Sequence, residues 1–338
     1  MSTEPQARGH LTRSIARVEG SVRHVRLGVR DIGSNTVHLL IVDAYHGAAP
    51  VATASHKLEL RLAEYVDEDG SIDQAGVDSL IFFVREACEF AQEEGAETLV
   101  AFATSAMRDA PNGRSVLKKV QQASGVEIAV LSGDDEARTT FLAVRRWFGW
   151  SSGELFVADI GGGSLELALG ADEEPAIGLS LPLGAGRLTR QFGKAGEVDL
   201  KGLQAMKRFV EDEVGTVVDE FAEQELVRHF VATSKSFRQL ARINGAPPSS
   251  EGHHISRLLK RSGLDGMAER LVDMSLDERT KLPGVSRGRA QQLPAAAVVA
   301  QSVMDAFGID AFELCPWALR EGMILQYLDA MPVQHHRA

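Results

Sequence analysis

The sequence predicts an α/β protein made of two similar halves that enclose a cleft, and three observations carry this. The stretch "VRDIGSNTVHLLIVDA" (29–44) has a later partner in "VADIGGGSLELALG" (157–170). "FATSAMRDA" (102–110) likewise has a partner in "VATSKSFRQLAR" (231–242). Asp31 and Asp159 lie 128 residues apart, and Thr104 and Thr233 lie 129 apart. One recurring glycine motif is weak evidence, whereas two in the same order at nearly one offset indicate a duplication. The third observation is that strand-like and helix-like segments alternate along the chain, the pattern of an α/β architecture.

Taken in order, "VRLGVRDIG" and "ELFVADIGG" read as buried strands ending at an aspartate, and "VHLLIVDA" and "LELALG" as the return strands of tight hairpins. "GVDSLIFFVREACEFAQEEG" has apolar residues at helical spacing and closes at Gly95, after which "ETLVAFATS" reads as a strand. "DDEARTTFLAVRRWFGW" opens on acids suited to a helix N-terminus and stops at Gly149. "DGSID" (69–73) and "GAPPSS" (245–250) read as loops, and 150–153 as the hinge between a first domain (25–149) and a second (150–316). Residues 1–24 carry six charged residues and little periodicity, so they are expected to form a mobile tail.

The chain has 338 residues, room for two domains, with 44% apolar and 25% charged residues. Its net charge of −11 argues against general nucleic-acid binding, which rests on a surplus of Lys and Arg. A polyanion would need a locally positive cleft. The longest apolar run, "PAAAVVA" (294–300), is far short of the ~20 residues of a membrane helix. The N-terminus lacks the apolar core of a secretory signal. Cys88 and Cys315 have no metal or redox spacing, so a reduced cytoplasm is the expected compartment.

A strand ending in Asp and running into small residues exposes backbone N–H groups and lets a phosphate approach without a Cβ clash. In the first turn Gly33, Ser34, Asn35 and Thr36 offer such donors; in the second, Gly161, Gly162, Gly163 and Ser164 do. A single turn of this kind reads as an ordinary hairpin, and the matched pair tips the reading to phosphate. Asp159 and Glu166 flank the second turn, and a carboxylate pair beside phosphate suits Mg²⁺. For Glu166 a solvent-facing strand residue is an equal reading. In "SGDDEAR" (132–138), Asp134 and Asp135 read as helix-end acids, and Glu136 can act on a water only if that helix end points into the cleft. Arg108 suits a phosphoryl group or a salt bridge to Asp109, and its spacing alone favours the bridge. Asp31, Thr104, Ser105, Lys235 and Arg238 are further cleft candidates. His253 and His254 read as surface histidines, since neighbours on a helix diverge.

Together "DIGSNTVHLL", "ATSAMRDA", "SGDDEAR", "DIGGGSLEL", "LPLGAGRLT", "LPGVSRGRA" and "PWALREGMIL" resemble the Ppx/GppA family of exopolyphosphatases and guanosine-pentaphosphate phosphohydrolases. The resemblance implies duplicated ribonuclease H-like domains of the actin, Hsp70 and sugar-kinase superfamily, the first completed by a C-terminal helix near 317–330. It implies phosphate binding by residues 33–36 and 161–164 and by Arg108, Glu136 as general base, and Asp159 and Glu166 as the Mg²⁺ site, with Mn²⁺ as a substitute. It further implies a cleft that opens and closes, a homodimer, and, without the extra helical domains of longer members, a preference for short polyphosphate.

Three positions depart from the family pattern. Arg30 stands in a buried strand, and an unpaired buried charge costs on the order of 3–5 kcal/mol, so it should be paired or reach the cleft. Lys235 replaces a glycine, and Gln291 replaces an acid. The function expected is release of terminal orthophosphate from polyphosphate. Attack on guanosine pentaphosphate, a kinase of the same superfamily and a non-catalytic polyphosphate or nucleotide sensor are the competing readings.

Overall fold

The computed structural model describes residues 24–332 apart from 68, 195 and 222–226. The tail expected at 1–24 therefore lies almost wholly outside the described residues. Strands run as β1 (Val25–Ile32), β2 (Thr36–Ala44), β3 (Ala54–Glu59), β4 (Thr98–Ala103), β5 (Ala129–Val130), β6 (Leu155–Ile160), β7 (Leu165–Gly170), β8 (Ile177–Leu181), β9 (His229–Thr233), β10 (Leu258–Lys260) and β11 (Ala311–Leu314). The helices are α1 (Gln74–Glu93), α2 (Ser105–Arg108), α3 (Gly113–Ser124), α4 (Gly133–Phe148), α5 (Ala185–Phe192), α6 (Leu200–Gly215), α7 (Ser234–Ile243), α8 (Met267–Asp273), α9 (Leu276–Thr280), α10 (Arg287–Ala290), α11 (Leu293–Ala306) and α12 (Leu319–Ala330).

The strands form two sheets, ordered β3-β2-β1-β4-β5 and β10-β11-β9-β6-β7-β8. Each is built around the same unit: an antiparallel hairpin whose first strand then pairs in parallel with a later one, β1 with β4 and β6 with β9. The duplication expected from the repeated motifs is thus present in the topology. The parallel strands β1, β4 and β5 end at the first turn, α2 and α4, and β6, β9 and β11 end at the second turn, α7 and the approach to α12. Ligands gather at the carboxyl ends of parallel strands, so both sheets deliver their chemistry to one place.

Local rules explain the boundaries. Asp73 caps α1, its side chain accepting from Gly76 N at 2.7 Å, and the chain leaves the helix at Gly95 with φ +72°. The buried face of α1, Val77, Leu80, Val84, Ala87 and Ala91, has helical spacing. Ser132 caps α4 by accepting from Asp135 N at 3.1 Å, and Gly149 ends it at φ +79°. The apolar run "PAAAVVA" lies in α11, buried on nearly every face inside the second half's core. No helix among the described residues is long and apolar enough to cross a membrane.

Packing and chain order do not divide at the same residue. α12 packs on the first sheet through Ile324 and Leu328, which join Leu27 and Val29 of β1 and Val42 of β2 in one apolar cluster. By contrast α4, placed before the 149/150 boundary by sequence, buries Phe141 and Val144 against Leu155, Val157 and Ala168 of the second sheet. Its other side meets α12, where Gly322 is required because a Cβ would come 2.1 Å from Thr139 O.

Arg30 does not behave as the sequence led us to expect. It is fully buried, yet it neither meets a carboxylate nor lines the cleft; Nη2 donates to Cys88 Sγ at 3.1 Å, and Nε and Nη1 have no partner among the described residues. Nothing in the structure explains why a charge is kept there. His253 and His254 are exposed as expected, but they lie in a turn, not a helix, and His254 stacks on Trp147.

Candidate active site

The two glycine turns meet face to face, and each is held from behind in the same way. Gly33 N donates to Thr36 O at 3.0 Å, and Gly161 N to Ser164 O at 2.9 Å, closing equivalent hairpins. Behind the first turn, Leu60, Arg61 and Leu62 donate backbone N–H groups to the carbonyls of Asn35 and Ser34; behind the second, Ala185 and Arg187 donate to Gly161 O and Gly162 O. In a trans peptide the N–H points opposite to the C=O. Tying the carbonyls to the rear therefore turns the N–H groups of Asn35, Thr36, Gly162 and Gly163 toward the other side, into the cleft.

Two of the three glycines, Gly162 and Gly163, are explained by crowding. None of Gly161, Gly162 and Gly163 has positive φ, so backbone freedom does not require them. A Cβ at Gly162 would lie 2.6 Å from Asn35 Nδ2, and one at Gly163 would lie 2.4 Å from Ser105 Oγ. Gly184, behind them, would place a Cβ 2.2 Å from Gly163 C. Gly162 and Gly163 are bare because Ser34 and Asn35 of the first turn and Ser105 of α2 occupy the space a side chain would need.

The cleft in front of the turns encloses about 350 Å³. Glu136, Asp31, Asp159, Glu166, Thr104, Ser105, Lys235 and Arg238 all line it, as do Gly33 to Thr36, Gly161, Gly162 and Ser164. Gly163 lines the rear of the turns instead. Asp159 and Glu166 are directly opposed across β6 and β7, so both side chains leave the same face of the sheet. Glu166 accepts from Ser180 Oγ at 2.9 Å and is also bonded by Ser164. No lysine or arginine bonds either carboxylate among the described residues. Burial pushes Asp159 up to about 6 and Glu166 well above the ordinary carboxylate range, with Glu136 and Asp159 adding repulsion at Glu166.

Glu136 stands in the first turn of α4, 6% exposed, and lines the cleft with Thr140 one turn on, whereas Ser132 to Asp135 do not line it. Burial raises it to about 7, against the pull of Arg108. Arg108 does not line the cleft. It bonds Glu136 through Nη1, donates to Leu131 O at 3.1 Å, and meets Asp109 at 3.1 Å. Both sequence readings of Arg108 thus understate its position: it is the immediate neighbour of the buried glutamate.

A set of cations forms the opposite wall, and only Lys235 and Arg238 were singled out from sequence. Lys57, Arg289 and Arg320 join them. Burial lowers Lys57, Lys235, Arg238 and Arg289, the last to about 10, and their neighbouring positive charges lower them further. Glu59, Asp159 and Glu321 offset part of this charge, yet burial and the cations' mutual repulsion outweigh them, the electrostatic profile of a polyanion site. Arg289 and Arg320 sit within "LPGVSRGRA" and "PWALREGMIL", motifs whose signal was visible but whose side chains had no assigned position. Lys57, on edge strand β3, had no signal beyond alternation.

The chain matches the model of the Ppx/GppA phosphatase family over residues 40–331. It belongs to that family. Exopolyphosphatase 1 of Mycobacterium tuberculosis is 48% identical over 309 residues, covering 90% of this chain and 89% of that protein. A guanosine-5'-triphosphate,3'-diphosphate pyrophosphatase of Vibrio parahaemolyticus is 26% identical over 314 residues, 91% of this chain but 60% of that protein. Among solved structures, an exopolyphosphatase from Cytophaga hutchinsonii superposes with a TM-score of 0.79 at 22% identity, over 91% of this chain and 99% of that one. The Aquifex aeolicus Ppx/GppA family member gives 0.71 at 25% identity, over 90% and 98%.

Proposed function

We propose that this Ppx/GppA member is an exopolyphosphatase, releasing orthophosphate from the end of inorganic polyphosphate. The observation that carries the reading is one juxtaposition: a buried glutamate raised to about 7 beside paired glycine turns, in a cleft also lined by Lys57, Lys235, Arg238, Arg289 and Arg320. The cations hold the chain, whose charge repeats with every phosphate. The turn N–H groups hold the non-bridging oxygens of the terminal phosphoryl group, as an oxyanion cradle does. Glu136, ionised, orients a water and takes its proton as the oxygen attacks phosphorus, and the shortened chain leaves with the bridging oxygen. Arg108 is assigned to the terminal phosphoryl group as well, and reaching it means giving up its bond to Glu136.

Asp159 and Glu166 fit a hard divalent cation, Mg²⁺ or Mn²⁺, because they are facing, buried oxygen donors that burial holds above the ordinary carboxylate range and that no lysine or arginine among the described residues hydrogen-bonds, although Arg238, Arg289 and Arg320 lie near Asp159. When bound, such an ion supplies charge neutralisation of the phosphoryl oxygens. The guanosine pentaphosphate reading uses the same groups but finds only more distant relatives, at 26% against 48% identity. A non-catalytic sensor leaves the tuned glutamate without a role. The cytoplasm suits the two free thiols, Cys88 and Cys315. A preference for short chains and a homodimer complete the proposal, testable by a chain-length series and by sedimentation. The decisive experiment follows orthophosphate release from polyphosphate with Mg²⁺. Glu136→Gln should lower kcat by about 10²–10⁴-fold, and retention of most activity would remove Glu136 from the mechanism.

A further inference from the structure

Behind the glycine turns, on the side away from Glu136, lies a second cavity of about 350 Å³. Ser34, Asn35, Ser105 and Gly162 line both this cavity and the cleft, so the paired turns form a partition one residue layer thick. A third cavity, of about 460 Å³, adjoins the second through Asn35, Gly186, Arg190 and Gln292. Arg187 and Arg190, three residues apart on α5 and hence on one face, both line the rear cavity.

The two arginines are unequally satisfied. Arg187 reaches across the halves to Asp109, but its Nε is buried without a partner among the described residues. Arg190 bonds no carboxylate among them, and burial together with the Arg187 charge lowers its affinity for its proton. One acid, Asp109, is also shared with Arg108. Asp69 and Asp109 line the cavity as well, so its formal charges balance, but Asp69 is turned to Ser71, and the Arg187 Nε and the Arg190 guanidinium keep donors that neither acid satisfies, in a site roofed by the glycine turns.

We propose that the rear cavity is a second anion site, taking a small phosphate anion between Arg190 and Arg187. Phosphate suits two guanidinium groups because its oxygens accept paired N–H donors in a fixed geometry. Choosing free orthophosphate over the end of a polyphosphate chain rests on the exopolyphosphatase reading. That product is formed at the partition, while the remaining chain occupies the cation wall on the cleft side, so the rear face is where a free phosphate can lodge without displacing the chain.

The test is equilibrium dialysis of the full chain with radiolabelled orthophosphate, which needs no turnover. Two bound equivalents are expected for the unaltered protein, one for Arg190→Gln, and two again for Arg190→Lys with affinity within about tenfold. Binding by Arg190→Gln equal to that of the unaltered protein would overturn the site. Tripolyphosphate, titrated in with the metal chelated, separates the two sources: the Arg190-dependent equivalent should survive concentrations that empty the cleft. Loss of both equivalents together would assign the site to the chain end and overturn the product assignment. Failure of the exopolyphosphatase reading would appear separately, as no orthophosphate release from polyphosphate by a protein that still binds the anion behind its turns.

Discussion

The two hairpins are built alike and equipped differently. Asp31 faces His38 across β1 and β2 in the same register in which Asp159 faces Glu166 across β6 and β7. In the first half the pair is drawn toward cations: Arg320 donates to His38, and burial with that arginine's charge holds the imidazole down at about 3, hence neutral. In the second half two buried carboxylates face each other with hydroxyl partners. The turns show the same division, with polar side chains in the first and bare glycines in the second. Duplication supplied one scaffold twice, and the cleft needs one wall that attracts a cation and another that supplies cations.

The comparison is broken most severely at the carboxylate pair. Glu166→Gln should lower polyphosphate turnover by about 10²–10³-fold, similar to the loss of a group stabilising developing charge, whereas His38→Gln should cost less than about tenfold. Thermal unfolding provides a readout apart from activity. A ligand that binds only the folded state raises Tm, so added Mg²⁺ should raise it for the unaltered protein and for His38→Gln, but not for Glu166→Gln. Equal loss of turnover in the two variants would mean that the halves share the metal.

The pH dependence tests both sides of the cleft, because burial raises Asp31 and Glu136 as well as Asp159 and Glu166. With Glu136 raised to about 7, kcat/KM should fall about tenfold per pH unit below 7 and level off above it. Stability should move the opposite way. The folded state keeps its proton to a higher pH than the unfolded chain, for which the ordinary value is 4.5, so stability is greatest below 4.5 and declines as pH rises toward 7. Tm measured across that interval without metal should fall, and Glu136→Gln should flatten the decline.

Much of this division was legible in the sequence, for identifiable reasons. The motifs preserved their order and offset, so the hairpins and both turns followed from spacing, whereas Glu166 stayed even between a metal ligand and a solvent-facing residue until the family resemblance favoured the first. Glu136 was placed at a helix start by the run of acids around it, but its role came only from the family resemblance, because position on the helix does not say what the side chain faces. What was hidden depended on packing between distant segments. Lys57, Arg289 and Arg320 converge from β3, α10 and α12, and no local pattern indicates that they meet. The glycines were assigned to phosphate access, whereas Ser34, Asn35 and Ser105 are what exclude a side chain there. α4 precedes the sequence boundary but packs beyond it, because its apolar face is wide enough to serve the second sheet and α12 at once.

Crowding predicts an asymmetry between a glycine of the first turn and the glycine packed behind the second. At Gly33 a Cβ would meet its nearest neighbours at 3.7 Å, an ordinary contact, whereas at Gly184 it would strike backbone atoms at 2.2 Å. Gly184→Ala should therefore destabilise by at least the 1–3 kcal/mol, roughly, of an overpacked core. Gly33→Ala should change stability by less than about 0.5 kcal/mol, the range of substitutions that create no clash. Urea unfolding of both variants measures the difference, and equal losses would contradict the account of why the second turn is bare.

The smallest effect is expected where the duplicated Ala-Thr-Ser motifs diverge. Thr104 and Thr233 both lead into a helix, but Ser234 has φ +92°, a left-handed value that a side chain disfavours, while its counterpart Ser105 does not. Such a residue stores about 1–3 kcal/mol when its surroundings hold it in place. They do: Ser236 Oγ donates to Ile160 O at 3.0 Å, tying α7 to the strand end before the second turn, and Thr233 Oγ1 donates to Trp317 O at 2.8 Å, tying the start of α7 to the approach to α12. The strain aims Lys235 into the cleft beside Lys57 and Arg238. Ser234→Gly removes the strain but also loosens the unfolded chain, so the net gain in stability should be no more than about 1 kcal/mol. If the conformation serves to place Lys235, KM for polyphosphate should rise severalfold while kcat stays within about twofold. An unchanged KM would show that the first turn of α7 is held in place by its hydrogen bonds alone.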